Sequence, residues 1–266
     1  DEMTSWRHHV HAHPETAFEE HATAAFVAER LSAFGLQVHQ GLARTGVVGT
    51  LSVGEGRAIG LRADMDALPI AEANQFDHRS RHPGRMHACG HDGHTAMLLG
   101  AARYLAETRR FNGTVHFIFQ PAEEAEGGGR VMVEEGLFSR FPVEAVYGMH
   151  NWPGLPVGRF AARPGPMMAA FDIFEITLRG TGTHGAMPHL GRDPIIAGAA
   201  LVQALQTIVS RNVDITRLPA IVSVGQFQSG VRNNIIPETA RLVGTIRTFD
   251  DEVQNDIHAR VRRIAE

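Results

Sequence analysis

The feature that most constrains the fold of this chain is an alternation of two kinds of segment. Short apolar, β-branched runs at 46–53, 58–63, 114–119 and 143–148 alternate with stretches of helical period at 16–34, 95–109 and 127–137. Runs of that length suit strands, and helices between strands carry the chain over the faces of a sheet. In the first helical stretch Phe18, Ala22, Ala25 and Phe26 supply an apolar face, Thr16 and Glu19 make a capping box, and Gly35 is a stop. His11 and His13 precede it with Pro14 in what reads as a lead-in loop. They could ligate a metal, but no acidic or sulfur partner lies close in sequence, which favours a structural role.

A change of composition at 162–169, where Arg163-Pro164-Gly165-Pro166 precedes Met167-Met168, reads as a hinge. Beyond it the expected strands are 171–178, 220–227 and 240–248, with helices at 193–211 and 250–265. The order β-α-β-β-α is most of a ferredoxin-like α+β unit, lacking its last strand. The expected organisation is an α/β domain over 1–166, with helices on both faces of a mixed sheet, and a smaller α+β ferredoxin-like domain over 167–266.

A hydrophobic content of 43% over 266 residues supports a substantial core. The net charge is −4 and the 25 basic residues are dispersed, so nothing recommends nucleic acid or an anionic membrane as a partner. The single cysteine excludes an internal disulfide and fits a reducing compartment. The N-terminal residues are charged and histidine-rich with no apolar signal core, and no run approaches the roughly 18 apolar residues of a membrane span. A cytoplasmic location is expected.

The stretch Met86-His87-Ala88-Cys89-Gly90-His91-Asp92-Gly93-His94 places that cysteine two positions from a histidine. Such residues are ligands of zinc, manganese, cobalt or nickel, and Gly90 and Gly93 let the backbone turn so that Cys89 and His91 face one point. A lone cysteine is more often a small buried apolar residue. Other residues turn the reading toward a metal site. Asp64 and Asp66, two apart at a strand end, point the same way, toward the edge where open α/β sheets put their ligands; the alternative is a solvated turn with an Asx cap. Glu123 and Glu124 directly follow a buried strand. Adjacent residues on an extended chain point in opposite directions, so one of the pair can bind metal while the other faces a substrate. His150, just past the strand at 143–148, is a candidate ligand by the same strand-end argument.

In the second domain Gly180-Thr181-Gly182-Thr183-His184-Gly185 matches G-x-G-x-x-G literally and follows a strand. It fails as a dinucleotide site, because Pro188 and Pro194 break the helix that should follow and no suitably placed acid ends a next strand. His184 and His189 could reach a substrate or could be loop residues. Asn233, Asn234 and Arg247 supply amide donors and a guanidinium fork suited to a carboxylate.

Taken together and in order, seven segments closely resemble the M20 metallopeptidase family. They are Arg62-Ala-Asp-Met-Asp-Ala-Leu-Pro69, Met86-His-Ala-Cys-Gly-His-Asp92, Phe119-Gln-Pro-Ala-Glu-Glu124, Gly148-Met-His150, Gly182-Thr-His-Gly-Ala-Met-Pro188, Asn234-Ile-Ile-Pro237 and Gly244-Thr-Ile-Arg247. The resemblance covers essentially the whole chain. It is strongest to the amidohydrolase branch, which includes hippurate hydrolases, N-acyl-amino-acid aminoacylases and auxin-conjugate hydrolases.

The resemblance implies that Cys89, His91, Glu124 and His150 bind two divalent ions, manganese, zinc, nickel or cobalt. It implies that Glu123 is the general acid/base, that Asp64 and Asp66 support the site, and that His184 acts on the substrate from a lid domain. Asn233 or Asn234 and Arg247 fit positions that hold the substrate's carboxylate. The first domain would be catalytic, and the lid would mediate a homodimer or higher oligomer. Members of the family run on well beyond the lid and return to the catalytic domain with one last metal-binding histidine, so a chain complete at Glu266 is expected to have an incomplete metal site, an open sheet and little activity. The implied function is hydrolysis of the amide bond of small N-acyl amino acids. The alternatives are a dipeptidase or aminopeptidase of the same fold, or a non-catalytic acyl-amino-acid-binding protein.

Overall fold

The computed structural model describes residues 2–124 and 126–266. Spatial clustering of the chain gives two compact units, Asp1–Pro156 and Val157–Glu266.

The first unit starts with a helix, α1 (Glu2–Ala12), which takes in His11 of the expected lead-in loop. Trp6 and Val10, four residues apart, are buried at 4% and 2% exposure and carry it onto the core. The next helix, α2, covers His21–Ala33, five residues shorter at its start than the apolar pattern implies. Phe18 adopts a left-handed φ of 60°, which a helix interior does not accommodate. The capping box of Thr16 and Glu19 is replaced by Glu15, whose carboxylate accepts from the N–H groups of Ala22 and Thr23 at 3.0 and 2.8 Å.

Strands β1 (Gln37–Leu42), β2 (Gly46–Val53) and β3 (Ala58–Asp64) follow. After them come α3 (His91–Thr108), β4 (Gly113–Gln120), two short helices α4 (Gly128–Glu134) and α5 (Leu137–Arg140), and β5 (Val146–Gly148). The helix expected over 127–137 is divided at Gly136, whose φ is 92°. The sheet order is β1-β2-β4-β3-β5, with β1, β2 and β4 antiparallel in turn and β4, β3 and β5 parallel. Alternation along β2 and β4 decides what each face buries. Val47, Leu51, Val115, Phe117 and Phe119 pack with Trp6, Val27, Leu31 and Leu99 of α1, α2 and α3. Val48 and Ile118, on the opposite face, pack with Met132 and Leu137 of α4 and α5. This is an α/β unit with a mixed sheet and helices on both faces. Each fully buried side chain such as Phe117 contributes about 1.5–3 kcal/mol through its removal from water.

The second unit contains β6 (Ala170–Arg179), β7 (Thr183–His184), α6 (Pro194–Thr207), β8 (Ile221–Ser229), β9 (Ile235–Ile236), β10 (Thr239–Thr248) and α7 (Asp251–Ala265). An antiparallel sheet ordered β6-β10-β8 packs Val222, Leu242 and Ile246 against Leu201 and Leu205 of α6 and Ile257 and Val261 of α7. Both long helices start on an aspartate that accepts from its own first turn, Asp193 from Ile195 N–H at 2.8 Å and Asp250 from Val253 N–H at 3.0 Å. The segment Pro194–Asn212 has the length and composition of a membrane span, with mean hydropathy 1.2, contrary to expectation. Leu201, Leu205 and Ile208 of this segment lie in the core of the unit, and 28% of the segment is buried. Gly180–Gly185 contains the two-residue strand β7 and is followed by a 3₁₀ turn at Pro188–Leu190, so no α-helix starts directly after the glycines.

Candidate metal centre

Because β4, β3 and β5 run parallel, their C-terminal ends meet at one edge of the sheet. Asp64 closes β3, the 121–124 segment leaves β4, and His150 lies two residues past β5. Helix α3 begins at the same edge with His91 as its first residue, after Gly90 in a left-handed conformation with φ 94°. A Cβ on Gly90 would lie 2.5 Å from the Asn151 side chain, so glycine is required both by the turn and by the close approach of the loop that carries His150.

His91 is the common member of the clusters that form there. The ligand atoms of Cys89, His91 and His150 lie within 4.8 Å of one another, as do those of His91, Glu123 and Glu124 and those of Asp64, His91 and His94. The imidazoles are oriented by their outer nitrogens. His91 Nδ1 donates to the carbonyl of Asp66 at 2.8 Å and lies 3.2 Å from its carboxylate, and His150 Nδ1 donates to the carbonyl of Asn151 at 2.6 Å. Both Nε2 lone pairs are thereby left for the interior of the site, with His150 Nε2 3.4 Å from Cys89 Sγ. His91 Nε2 is 3.7 Å from Glu124 Oε1 and 3.9 Å from Glu123 Oε2. Both His91 Nε2 and Glu124 Oε1 are buried without a hydrogen-bond partner. Buried polar atoms are ordinarily satisfied, so a converging pair of orphans beside a thiol marks a place for a cation.

The electrostatics agree. Burial opposes a charge on His91, yet its hydrogen bond to Asp66, the neighbouring Cys89 and the charges of Asp64 and Asp66 outweigh that and raise its pKa to about 11. The same carboxylates would favour a cation at Nε2, which must displace that proton to bind. Burial acts to raise the pKa values of Asp64 and Asp66, but the bond from His94 to Asp64 and that from His91 to Asp66 bring both below the usual carboxylate range. Asp64 also accepts from Arg62 at 2.7 Å, and Asp66 Oδ2 accepts from Glu124 N–H at 2.9 Å. Glu123 is raised instead, by burial and by the nearby charges of Asp64 and Glu124, with His91 opposing.

The glutamate pair departs from one expectation. The two carboxylates do not point in opposite directions but converge on His91. The segment is not extended there, because Ala122 has a left-handed φ of 52° and turns the chain. His11, expected in a loop, sits on α1 and lies outside the metal clusters; it bridges Asp92 at 2.9 Å and Glu72 at 3.1 Å. His94 was missed. It donates from Nδ1 to Asp64 at 2.6 Å, accepts from Asn151 N–H at 3.0 Å, and packs edge-on to His150. Its signal in the sequence is its position three residues after His91, on the same helix face. His87 is buried with neither ring nitrogen partnered, and burial lowers its pKa to about 4.

The remaining candidates lie in the second unit. His184 is exposed on β7, pairs with Ile235 of β9, and accepts at Nδ1 from Ala186 N–H at 3.1 Å. Gly185 N–H donates to the carbonyl of Asn234 at 2.8 Å, so Asn234 lies just before β9 beside the strand that carries His184, with Asn233 exposed next to it. Arg247 stands apart from them on β10, its guanidinium 3.9 Å from the centre of the Phe171 ring.

Residues 60–253 match the family described as peptidase family M20/M25/M40. The chain is 44% identical to a hippurate hydrolase of Campylobacter jejuni over 99% of its own length and 68% of the relative's. It is 45% identical to an N-acyl-L-amino acid amidohydrolase of Geobacillus stearothermophilus over 99% of its length and 71% of the relative's. Among solved structures, a dinuclear metal-binding M20 peptidase of Bacillus subtilis superposes with a TM-score of 0.79 at 37% identity, covering 100% of this chain and 68% of that one. The chain thus spans roughly two thirds of the length of these relatives.

Proposed function

The chain belongs to peptidase family M20/M25/M40, and from that premise we propose that it is a metal-dependent amidohydrolase that cleaves the amide bond of N-acyl amino acids. The observation that carries this reading is the convergence of two unpartnered buried atoms, His91 Nε2 and Glu124 Oε1, beside Cys89 Sγ and His150 Nε2. Cys89, His91, Glu124 and His150 would hold two divalent ions, manganese, zinc, nickel or cobalt, since thiolate, imidazole and carboxylate suit all four. When bound, such ions supply Lewis acidity and make a nucleophile available from water near neutral pH.

The protein's own groups account for the rest. Glu123, whose basicity is raised by burial and by its acidic neighbours, takes the proton of the attacking water and returns it to the nitrogen of the leaving amine. Asp66 and Asp64 orient and polarise their histidines. The second unit, read as a ferredoxin-like lid that also mediates dimerisation, contributes His184 to the developing oxyanion. Asn233, Asn234 and Arg247 hold the substrate's carboxylate; a guanidinium stacked on Phe171 keeps its in-plane N–H donors for that purpose. A cytoplasmic location and a small-molecule substrate complete the proposal.

The test is hydrolysis of N-acetyl and N-benzoyl amino acids against free-amine dipeptides, with and without added manganese. Metal-dependent release of the free amino acid is expected, with the dipeptides poor substrates. Glu123→Gln should lose turnover while retaining the metal. Preference for dipeptides would favour the peptidase alternative, and full activity of Glu123→Gln would remove that residue from the proton-transfer role.

A further inference from the structure

Glu20 is fully buried yet lies outside every metal-binding cluster described above. It immediately precedes α2, and its carboxylate gathers three donors from three parts of the chain. Oε1 accepts from the N–H groups of Phe18 at 3.1 Å and Ala122 at 2.9 Å, and Oε2 accepts from the hydroxyl of Thr45 at 2.6 Å. Burial, with the charge of Asp66, raises its pKa, and hydrogen bonds from Thr45, Ala122 and its own backbone act against that rise. A buried carboxyl group is costly unless its bonds serve a purpose or a structure.

The far end of one of these bonds is informative. Ala122 is completely buried and holds a left-handed φ of 52°, a conformation that an alanine keeps only when its surroundings fix it. Its N–H is fixed by Glu20 and its carbonyl by Gly128 N–H at 2.9 Å. This turn is what brings Glu123 and Glu124 together at His91 instead of letting them point apart. Asp66 holds the same segment two residues later, through Glu124 N–H. The segment is therefore clamped at both ends by buried carboxylates, Asp66 bonded to His91 of the metal cluster and Glu20 outside it.

We propose that Glu20 is a positioning residue: by holding Ala122 N–H it sets the turn that aims Glu123 at the substrate and Glu124 at the metal. This rests on the roles given above to those two glutamates. Reach, not charge, is the property required. Glutamine has the same length; its amide oxygen can accept from Phe18 and Ala122 while its NH₂ donates to the Thr45 hydroxyl. Aspartate keeps the charge but is one methylene shorter, which draws the carboxylate back from Ala122 N–H.

The experiment compares Glu20→Ala, Glu20→Gln, Glu20→Asp and Thr45→Val in the manganese-saturated protein, measuring kcat, KM, melting temperature and manganese affinity by titration. A displacement of about 1 Å at a catalytic group costs on the order of 100-fold in rate. Glu20→Ala should lose kcat on that scale with KM little changed, and should bind one manganese more weakly. Glu20→Gln should recover most of both, and Glu20→Asp should fall below it. Thr45→Val removes a different partner of the same carboxylate and leaves the bond to Ala122, so it should lower the melting temperature without lowering kcat or manganese affinity. Wild-type kcat in a folded Glu20→Ala, or equal losses of kcat in Thr45→Val, would overturn the proposal. If Glu20→Ala does not fold, the order of glutamine and aspartate decides, and an aspartate variant as active as glutamine refutes it. If the wild type hydrolyses no acyl amino acid, the hydrolase reading fails, while the manganese titration still tests Glu20: equal affinity in all variants rejects its positioning role.

Discussion

Two hydrogen bonds fit His91 and His150 for the proposed role, because an Nδ1–H that donates to a carbonyl leaves Nε2 free for a metal. Asp66 has the larger share of this work, facing His91 Nδ1 and accepting from Glu124 N–H. Replacing it by asparagine substitutes an NH₂ for one acceptor and sets a donor against a donor. Asp66→Asn should fold and should bind manganese about 10–100-fold more weakly, the usual effect of losing a group that orients a ligand. Titration calorimetry checks this, and unchanged affinity would show that Asp66 does not orient the site. At this scale the sequence was legible where residue type alone carries chemistry: Cys89, His91, Glu124 and His150 are ligand types at strand and helix ends. His94 and Glu20 were not legible, since a histidine and a glutamate of common type acquire their roles only from what folding brings to them, Asp64 and Asn151 in one case and Ala122 in the other.

At the scale of elements, α1 is tied to the start of α3 by His11, which bridges Asp92 and Glu72, with Arg7 also on Asp92 at 3.0 Å. The bond to Asp92 is the main cause that raises the His11 pKa above its ordinary value of 6.5, burial opposing it and Glu72 assisting. A histidine whose pKa is raised by folding stabilises fully below its unfolded value and loses that contribution as pH rises through the folded value. His11→Gln should therefore be less stable than the wild type by roughly 2 kcal/mol near pH 5. The gap should narrow at alkaline pH. Thermal melts across pH measure it, and a gap independent of pH would contradict a charged His11. The strands and α3 could be read in advance because their apolar periodicity is strong. Helix α1 could not, since only Trp6 and Val10 among its charged and histidine-rich residues carry the pattern, and β1 could not, since it is an edge strand of sequence QVHQGL with little burial. The Ala122 turn was invisible because alanine has no preference for positive φ; it is imposed by contacts from Glu20 and Gly128.

For the whole molecule, the mixed α/β sheet of the first unit gathers into one place groups from four elements that are far apart in sequence. A site assembled in this way exists only in the folded state, so metal should stabilise the first unit. Manganese at about 100 times its dissociation constant contributes about 2.7 kcal/mol, or roughly 5–10 °C in melting temperature for a unit of this size. Chelation should remove the shift, and Cys89→Ala should show little of it; a melting temperature indifferent to metal and chelator would argue against a centre formed by folding. The most direct test is anomalous diffraction at the zinc edge from crystals grown with zinc. The account predicts peaks among the ligand atoms of Cys89, His91, Glu124 and His150, with Zn–S and Zn–N distances of about 2.3 and 2.0–2.1 Å; maps with no anomalous peak within bonding reach of Cys89 Sγ and His91 Nε2 would contradict it.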